Sequence, residues 1–342
     1  MTSPIDAAQA SQVAQPLLAY LAARLEVSGL RYAEQPEAIT QGWETYIYSL
    51  RLAGDGLDPE WARLLILRVY PAAEQGPKAY REAAVQRFVA ERGYPAPRPL
   101  AVETDVGALG RPFMIMERAP GVPMLNLMTA SPVAAFRLAA RMADLHVALH
   151  RLPVEGFPFP NEQPLVERRL AGYRESVKAF GLADVDEALE WLEAHKDRVM
   201  PEEPCLLHND FHPLNILVEG AQATVIDWPD ATIGDRHHDI ASTLVLIGTA
   251  PVDATTLGER LLTRFGRGLL LRAYLRRYRR QLPVDQRRLR YWEALIAAGR
   301  WGMAAVFQSA GSESLGMRAD TAARVPEEQL ELLRRYFWKR AR

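Results

Sequence analysis

At 342 residues the chain is too long for one small core and suits two units of ordinary size. Hydrophobic residues at 49% and charged residues at 24% exclude wholesale disorder. The balance of 41 Lys+Arg against 42 Asp+Glu gives a net charge of -1, which removes any global pull toward nucleic acid or an anionic membrane. A single cysteine, Cys205, excludes an internal disulfide and a Cys-rich zinc site. Asp6 stands where a secretory leader carries positive charge, and the longest apolar run, near Leu244 to Ile247, is far shorter than the ~20 residues that cross a bilayer. The expectation is a soluble cytoplasmic enzyme or binding protein with no membrane and no nucleic-acid partner. Oligomeric state has no readable signal.

Residues 5 to 27 are Ala/Leu-rich, and Leu17, Leu18, Leu21 and Leu25 fall at helical spacing, so an amphipathic helix is expected first. Tyr46, Tyr48, Leu50 and Leu52 then alternate with Ile47, Ser49 and Arg51, the period of a strand. The turn-forming run Ala53 to Pro59 leads to a second, buried strand, LLILRVY at 64–70, ended by Pro71. From Lys78 to Arg92 the apolar positions Tyr80, Ala84, Val85, Phe88 and Val89 suggest one helical face, stopped by Gly93, Pro95, Pro97 and Pro99. FMIM at 113–116 is a further short strand before Ala119-Pro120-Gly121. Strand, turn, strand, helix, strand implies a small sheet carrying one helix.

The character changes near residue 120. Ser131 and Pro132 supply an N-cap and a first-turn proline for a helix with Leu138, Met142, Leu145 and Leu149 as its stripe. Further helices are expected near 163–180, 184–198, 258–281, 285–309 and 327–340, with a strand-rich island at 205–207, 216–218 and 223–226. There is no internal repeat and no low-complexity linker. The break at 118–121 therefore reads as a hinge, dividing 1–118 from 119–342.

The island carries the chemistry. His208-Asn209-Asp210-Phe211-His212-Pro213-Leu214-Asn215 fits H-x-D-x-x-x-x-N, the spacing of a kinase catalytic loop. Phosphoryl transfer depends on positioning and charge neutralisation. An Asp at the loop tip can orient the acceptor hydroxyl, and an Asn five residues on can turn its amide oxygen to Mg²⁺. A second metal ligand belongs at the end of a following apolar strand, where Val225-Ile226-Asp227-Trp228 supplies Asp227. Taken singly, each has a blander reading: Asp and Asn commonly serve turns, and a strand-end carboxylate is ordinary. The conjunction of strand, octet, strand and I-D-W is what points to function. His208 in this setting braces the loop by hydrogen bonding and does not move protons.

HNDFHPLNILV followed by VIDWPDATIGDRHHDIA resembles the aminoglycoside phosphotransferase/choline kinase superfamily over roughly residues 35 to 300. The resemblance implies an α+β, two-lobed protein-kinase-like fold with a small β-rich N-lobe and a larger, mainly helical C-lobe. It makes Asp210 the catalytic Asp and Asn215 and Asp227 the metal ligands. Asp239 would brace the loop from the start of the next helix, or simply N-cap the helix from Ile240 to Ile247. Asp235, after Gly234, is structural. Residues 1–118 would bind nucleotide, ATP with GTP left open, together with Mg²⁺. Gly42 and Trp43 lie where a phosphate-covering loop is expected, although with one glycine an ordinary hairpin turn is the favoured reading unless the second lobe is taken into account. Arg68 takes the place of the phosphate-pairing Lys, a charge inside an apolar strand that calls for a partner, and Glu82 is the expected one. Glu117 to Ala119 would offer backbone groups to adenine.

Only twelve positions separate Asp227 from Asp239, too few for a protein kinase's activation segment, so the acceptor is expected to be a small hydroxylated molecule. An aminoglycoside needs an acidic cleft, for which Glu187, Glu190, Glu193 and Asp230 are available. The basic tail from Arg334 to Arg342 argues mildly the other way, and a sugar, choline or homoserine-like acceptor fits as well. A nucleotide-binding pseudokinase or regulatory module is the alternative from another class, motivated by Arg68 and the sparse glycine. His146 and His150 have zinc-pair spacing, but Val147 stands where H-E-x-x-H needs Glu, so they read as packing and surface residues. His237 and His238 lack a matching ligand pattern. Cys205 reads as a buried small hydrophobe, and the arginines of 272–290 as a solvated helical face, with nucleic-acid binding as a third possibility resting on them alone.

Overall fold

The computed structural model describes residues 10–39, 45–250, 256–310 and 327–342. They form two units: one takes the described residues up to Pro120 together with Thr224–Pro229, the other Gly121–Ala223 and the described residues from Asp230 onward, less any assigned to the first. The fold is α+β.

The first unit is built on a five-stranded antiparallel sheet. In chain order its elements are α1 (Ala10–Leu25), β1 (Arg31–Ile39), β2 (Tyr46–Ala53), β3 (Leu64–Val69), α2 (Gly76–Glu91), β4 (Pro99–Glu103) and β5 (Phe113–Glu117), and the strand order is β1-β2-β3-β5-β4. Strand periodicity sends Tyr48, Leu50 and Leu52 of β2 and Leu65, Leu67 and Val69 of β3 to one face, where Val13, Leu17 and Leu21 of α1 cover them. Each buried Leu or Val stabilises the unit by roughly 1.5–3 kcal/mol. The same alternation turns Arg68 to the opposite face. There Tyr70 and Met114 pack against Ala79 and Ala83 of α2. The buried stripe of α2 is Ala79, Glu82, Ala83, Val85, Gln86, Phe88 and Val89. Tyr80, expected in it, is instead 53% exposed.

Two strands of this sheet were not expected from sequence. β1 has only Pro36 buried, and a break in its register with β2 between Glu34 and Glu37 brackets that proline. A polar edge strand interrupted by proline shows no alternation to read. β4 begins at Pro99, the last of the helix-stopping prolines.

The second unit holds β6 (Val122–Pro123), α3 (Met124–Ala130), α4 (Pro132–His150), α5 (Leu165–Phe180), α6 (Ala183–His195), β7 (Pro204–Leu207), β8 (Ile216–Glu219), β9 (Gln222–Val225, whose last two residues belong to the first unit), β10 (Thr232–Asp235), α7 (Arg236–Thr249), α8 (Leu257–Arg279), α9 (Gln286–Ala310) and α10 (Glu327–Ala341). Ser131 caps α4 by accepting from the Ala134 amide, with Pro132 in the first turn. β10 pairs antiparallel with β7, a strand of four residues too short to stand out in sequence. α7 opens at Arg236, earlier than expected. Its N-cap is Asp235, whose carboxylate accepts from the His237 amide, so Asp239 lies inside the first turn and is not the cap. No helix among the described residues is long and apolar enough to cross a membrane.

Candidate active site

In the first unit the opposite-face position of Arg68 and the sheet-facing stripe of α2 bring cation and anion together. Arg68 Nη1 donates to Glu82 Oε1 at 2.6 Å and to Asp227 Oδ1 at 2.9 Å. Tyr70, two residues along β3's path on the same face, donates its hydroxyl to Glu82 Oε2 at 2.6 Å. Burial works against the Arg68 charge, but Glu82 and Asp227 outweigh it and hold the guanidinium protonated. Its Nε is buried without a hydrogen-bond partner among the described residues. Asp227 has a left-handed backbone, φ 71°, a costly state for a residue with a Cβ. Trp228, fully buried, fixes it there: its indole donates to the Val225 carbonyl at 3.1 Å and meets Tyr94 edge-on, while the Val225 amide bonds to Pro95. The Asp227 side chain keeps 35% of its surface exposed.

Glu117 ends β5. Its amide donates to the Arg98 carbonyl at 3.0 Å, so its carbonyl is the group it can offer to a base. Its carboxylate meets Arg63 at 3.2 Å. Ala119 is half-buried beyond it. Gly42 and Trp43 lie outside the described residues.

In the second unit the catalytic-type loop follows β7. Asn209 has φ 68°, and its side-chain amide donates to the Asp230 carbonyl at 2.7 Å. The amides of His208 and Asn209 donate to the two oxygens of Asp239, each at 2.7 Å. Ser242 and Thr243 of α7 bond the carbonyls of Asn209 and Phe211. At the loop tip Asn215 Nδ2 donates to the Asp210 carbonyl at 3.0 Å and to its Oδ2 at 2.7 Å. That engagement leaves the Asn215 oxygen as the atom available to a ligand. His212 Nε2 lies 3.2 Å from Asp210 Oδ2. Burial opposes the Asp210 carboxylate, yet the hydrogen bond and charge of His212, with help from His208 and Asn215, hold its pKa below the usual range. Asp210 is thus an anion at neutral pH. His208 is buried and accepts from the Asp210 amide at Nδ1 (3.3 Å).

His146 and His150 are not surface residues: both are buried on α4 beside Asp239. Their Nε2 atoms lie 3.0 and 3.2 Å from Asp239 Oδ2, and each Nδ1 meets a tyrosine hydroxyl at 2.6 Å, Tyr274 and Tyr278 respectively. Phe211 stacks on His146 with centroids 4.0 Å apart. Burial, then the neighbouring His146, lowers the His150 pKa to about 4, so the ring is neutral. The tyrosine hydroxyl satisfies Nδ1, and the Nε2 proton goes to the carboxylate. Asp239 is itself buried, and the two imidazoles override that burial to hold it far below the usual carboxylate range. The three side chains have the proximity of a metal set, all ligand atoms within 4.8 Å; Asp239 is already bonded by His150 and the loop amides, while His146 Nε2, 3.0 Å away, makes no aligned hydrogen bond among the described residues. Sequence reasoning saw the i,i+4 pair and missed its partner, because Asp239 is 89 residues from His150 in the chain.

Asp235 is a second buried hub. Oδ1 accepts from the His237 ring at 2.6 Å; Oδ2 accepts from Arg288 Nη2 at 2.8 Å and from the Trp292 indole at 3.1 Å. Arg288 therefore anchors α9, and is not part of a solvated face, whereas Arg272, Arg276 and Arg279 of α8 are exposed.

The model of the phosphotransferase enzyme family matches residues 37–297. The chain belongs to that family. Within the phosphotransferase family the chain is 31% identical to the aminoglycoside 3'-phosphotransferase of Streptomyces fradiae over 200 residues, 54% of this chain and 71% of that protein. It is 24% identical to acyl-CoA dehydrogenase family member 10 of Mus musculus over 286 residues, 76% of this chain but only 25% of that protein, so it spans about a quarter of the relative's length. Among solved structures it resembles aminoglycoside phosphotransferase APH(4)-Ia (TM-score 0.63, 17% identity, covering 94% of this chain and 98% of the other). It also resembles a choline/ethanolamine kinase family protein of Mesorhizobium loti (TM-score 0.61, 16% identity, covering 95% and 96%). These likenesses show a fold shared with small-molecule kinases.

Proposed function

We propose that the chain is an ATP- and Mg²⁺-dependent phosphotransferase that moves the γ-phosphoryl group to a hydroxyl of a small acceptor. The observation that carries this reading is the pairing of a loop-tip anion, Asp210, with an Asn215 whose amide nitrogen is engaged and whose oxygen is left for a cation. The donor chemistry suits Mg²⁺, a hard ion that takes oxygen ligands and keeps several waters, and Asn215 and Asp227 would supply two of them. When bound, the metal neutralises charge developing on the phosphates. Nucleotide is supported by Arg68, whose unpartnered Nε and fixed charge suit a phosphate oxygen, with Glu82 and Tyr70 holding the guanidinium in place. The Glu117 carbonyl and the backbone at Ala119 would meet the base, and Gly42 and Trp43 the phosphates. ADP and AMP-PNP occur in solved complexes of the APH(4)-Ia relative, in keeping with an adenine nucleotide here.

Asp210, held as an anion, accepts the hydrogen bond of the acceptor hydroxyl and aims its oxygen. Its lowered proton affinity makes it an orienting group first and a proton acceptor only as the hydroxyl acidifies in the transition state. Arg68 in place of lysine keeps a second reading in view, a nucleotide-binding module without transfer. The two separate in one experiment: ADP release from Mg²⁺-ATP over a panel of hydroxyl compounds, beside nucleotide-binding calorimetry. Turnover that falls at least a thousandfold in Asp210→Ala, with nucleotide affinity retained, supports the enzyme. Binding with no acceptor-dependent turnover supports the module.

A further inference from the structure

Two arginines on the helices of the second unit, Arg169 and Arg300, have no ion-pair partner within salt-bridge distance among the described residues. Arg169 and Tyr173 stand one turn apart on α5, and α5 packs on α9 where Gly299 and Arg300 lie. The Nε atoms of Arg169 and Arg300 are buried and have no hydrogen-bond partner among the described residues, and neither side chain forms an ion pair among them. Both residues are half-buried overall, so the rest of each guanidinium is not sealed in. Gly299 marks the place. A glycine inside a long helix costs about 1 kcal/mol relative to alanine, and here a Cβ would collide with the Tyr173 phenol, so the glycine seats that ring against the backbone beside Arg300. Tyr173 feels the charge of both arginines, and Arg300 feels the charge of Asp210. His238 of α7, fully buried with neither ring nitrogen partnered among the described residues, lies within reach of the Arg169 charge.

Two half-buried guanidiniums with unpartnered donors are destabilising as they stand, and a bound anion relieves that cost. Of the four acidic residues that a polycationic acceptor could use, Asp230 lies exposed at the catalytic-type loop, its carbonyl bonded to Asn209. Glu187 and Glu190 are exposed on α6, and Glu193 is ion-paired to Arg174 and, at 3.8 Å, to Lys196.

From this arrangement we infer that the acceptor is itself an anion, a small hydroxyl compound bearing a carboxylate or phosphate group that Arg169 and Arg300 bind while its hydroxyl meets Asp210. Tyr173 supplies a hydroxyl to the same group. The inference deepens the phosphotransferase reading and rests on it for the hydroxyl's fate, but the anion site stands on its own observations. It sets this chain apart from a kinase of polycations.

The test uses the full chain with Mg²⁺-ATP and three sets of acceptors: anionic (glycerate, 3-hydroxybutyrate, glycerol 3-phosphate), neutral (glycerol, a hexose) and cationic (choline, hygromycin B). ADP release confined to the anionic set is expected, with kcat/KM at least thirtyfold lower in Arg300→Gln and Arg169→Gln and partly restored in Arg300→Lys. The carboxylate and phosphate members of the set tell the two anion sources apart. Turnover of cationic or neutral acceptors that Arg300→Gln leaves unchanged would overturn the inference and leave the phosphotransferase reading intact. If no acceptor is phosphorylated, calorimetry with 3-hydroxybutyrate and inorganic phosphate decides independently. Binding weakened at least tenfold by Arg300→Gln, in a variant whose thermal midpoint matches the parent, upholds the anion site while the phosphotransferase reading fails; equal or absent binding overturns it.

Discussion

Each unit buries a carboxylate cluster, and the two are closed in different ways. In the first, a guanidinium lies between Glu82 and Asp227, Tyr70 completes Glu82, a buried Arg68 N–H has no partner among the described residues, and the Asp227 side chain is 35% exposed. In the second, Asp239 is met by two backbone amides and two imidazoles, and each imidazole is backed by a tyrosine. One arrangement is short of partners and suits a ligand. The other surrounds Asp239 with four partners and holds a loop. The same carboxylate chemistry therefore yields a partly unsatisfied cluster or a densely bonded one according to its partners.

The contrast can be broken most forcefully at Asp239. Asp239→Asn removes the anion that the loop amides and both histidines share, and a loss of about 3–5 kcal/mol in urea unfolding is expected, as for other broken buried charge networks. A change below about 1 kcal/mol would mean the cluster is not what fixes the loop. Arg68→Met comes next. It leaves Glu82 and Asp227 facing each other uncompensated, and stability should fall by about 2–4 kcal/mol while nucleotide affinity drops at least tenfold in calorimetry. Adding Glu82→Leu should restore most of the stability and none of the affinity, which separates the structural from the ligand-binding share of Arg68.

Acid sharpens the comparison further. His150 has its pKa lowered from 6.5 to about 4, chiefly by burial and next by His146. The unfolded chain binds that proton first, so the neutral ring's contribution is complete above about pH 6.5 and is lost as pH falls toward 4, by up to ~3 kcal/mol. Asp239, depressed in the folded state, adds a loss of the same sign at still lower pH. Denaturation midpoints measured from pH 7 to 4 should show this slope, and His150→Gln should flatten it. The smallest effect is expected at the Asp235 hub. Trp292→Phe deletes one of several donors to that carboxylate and should cost about 1–2 kcal/mol in the same assay.

Much of the catalytic-type loop was legible because its residues are close in the chain: Asp210, Asn215 and, two strands later, Asp227 carry their spacing in the sequence. Arg68 was legible for a different reason, as a charge in an apolar strand that had to find a partner, and the partner is Glu82. Asp239 was placed near the loop but given the wrong helix position, since Asp235 and Asp239 both precede apolar residues and only the backbone tells cap from first turn. Of the reading of His146 and His150 as packing and surface residues, the surface part was wrong, because the carboxylate they are buried against lies on α7, far along the chain. Arg169 and Arg300 are 131 positions apart, and nothing local marks either as unpaired. The edge strand β1 and the four-residue β10 were missed because neither has enough buried alternation to register.

Phosphorus NMR of a reaction containing Mg²⁺-ATP, an anionic hydroxyl acceptor and the full chain tests the central claim most directly. A new phosphomonoester resonance growing in step with ADP, and absent when Asp210→Asn replaces the parent protein, is the predicted result. ADP and inorganic phosphate appearing without a phosphorylated acceptor, or a product formed equally well by Asp210→Asn, would contradict it.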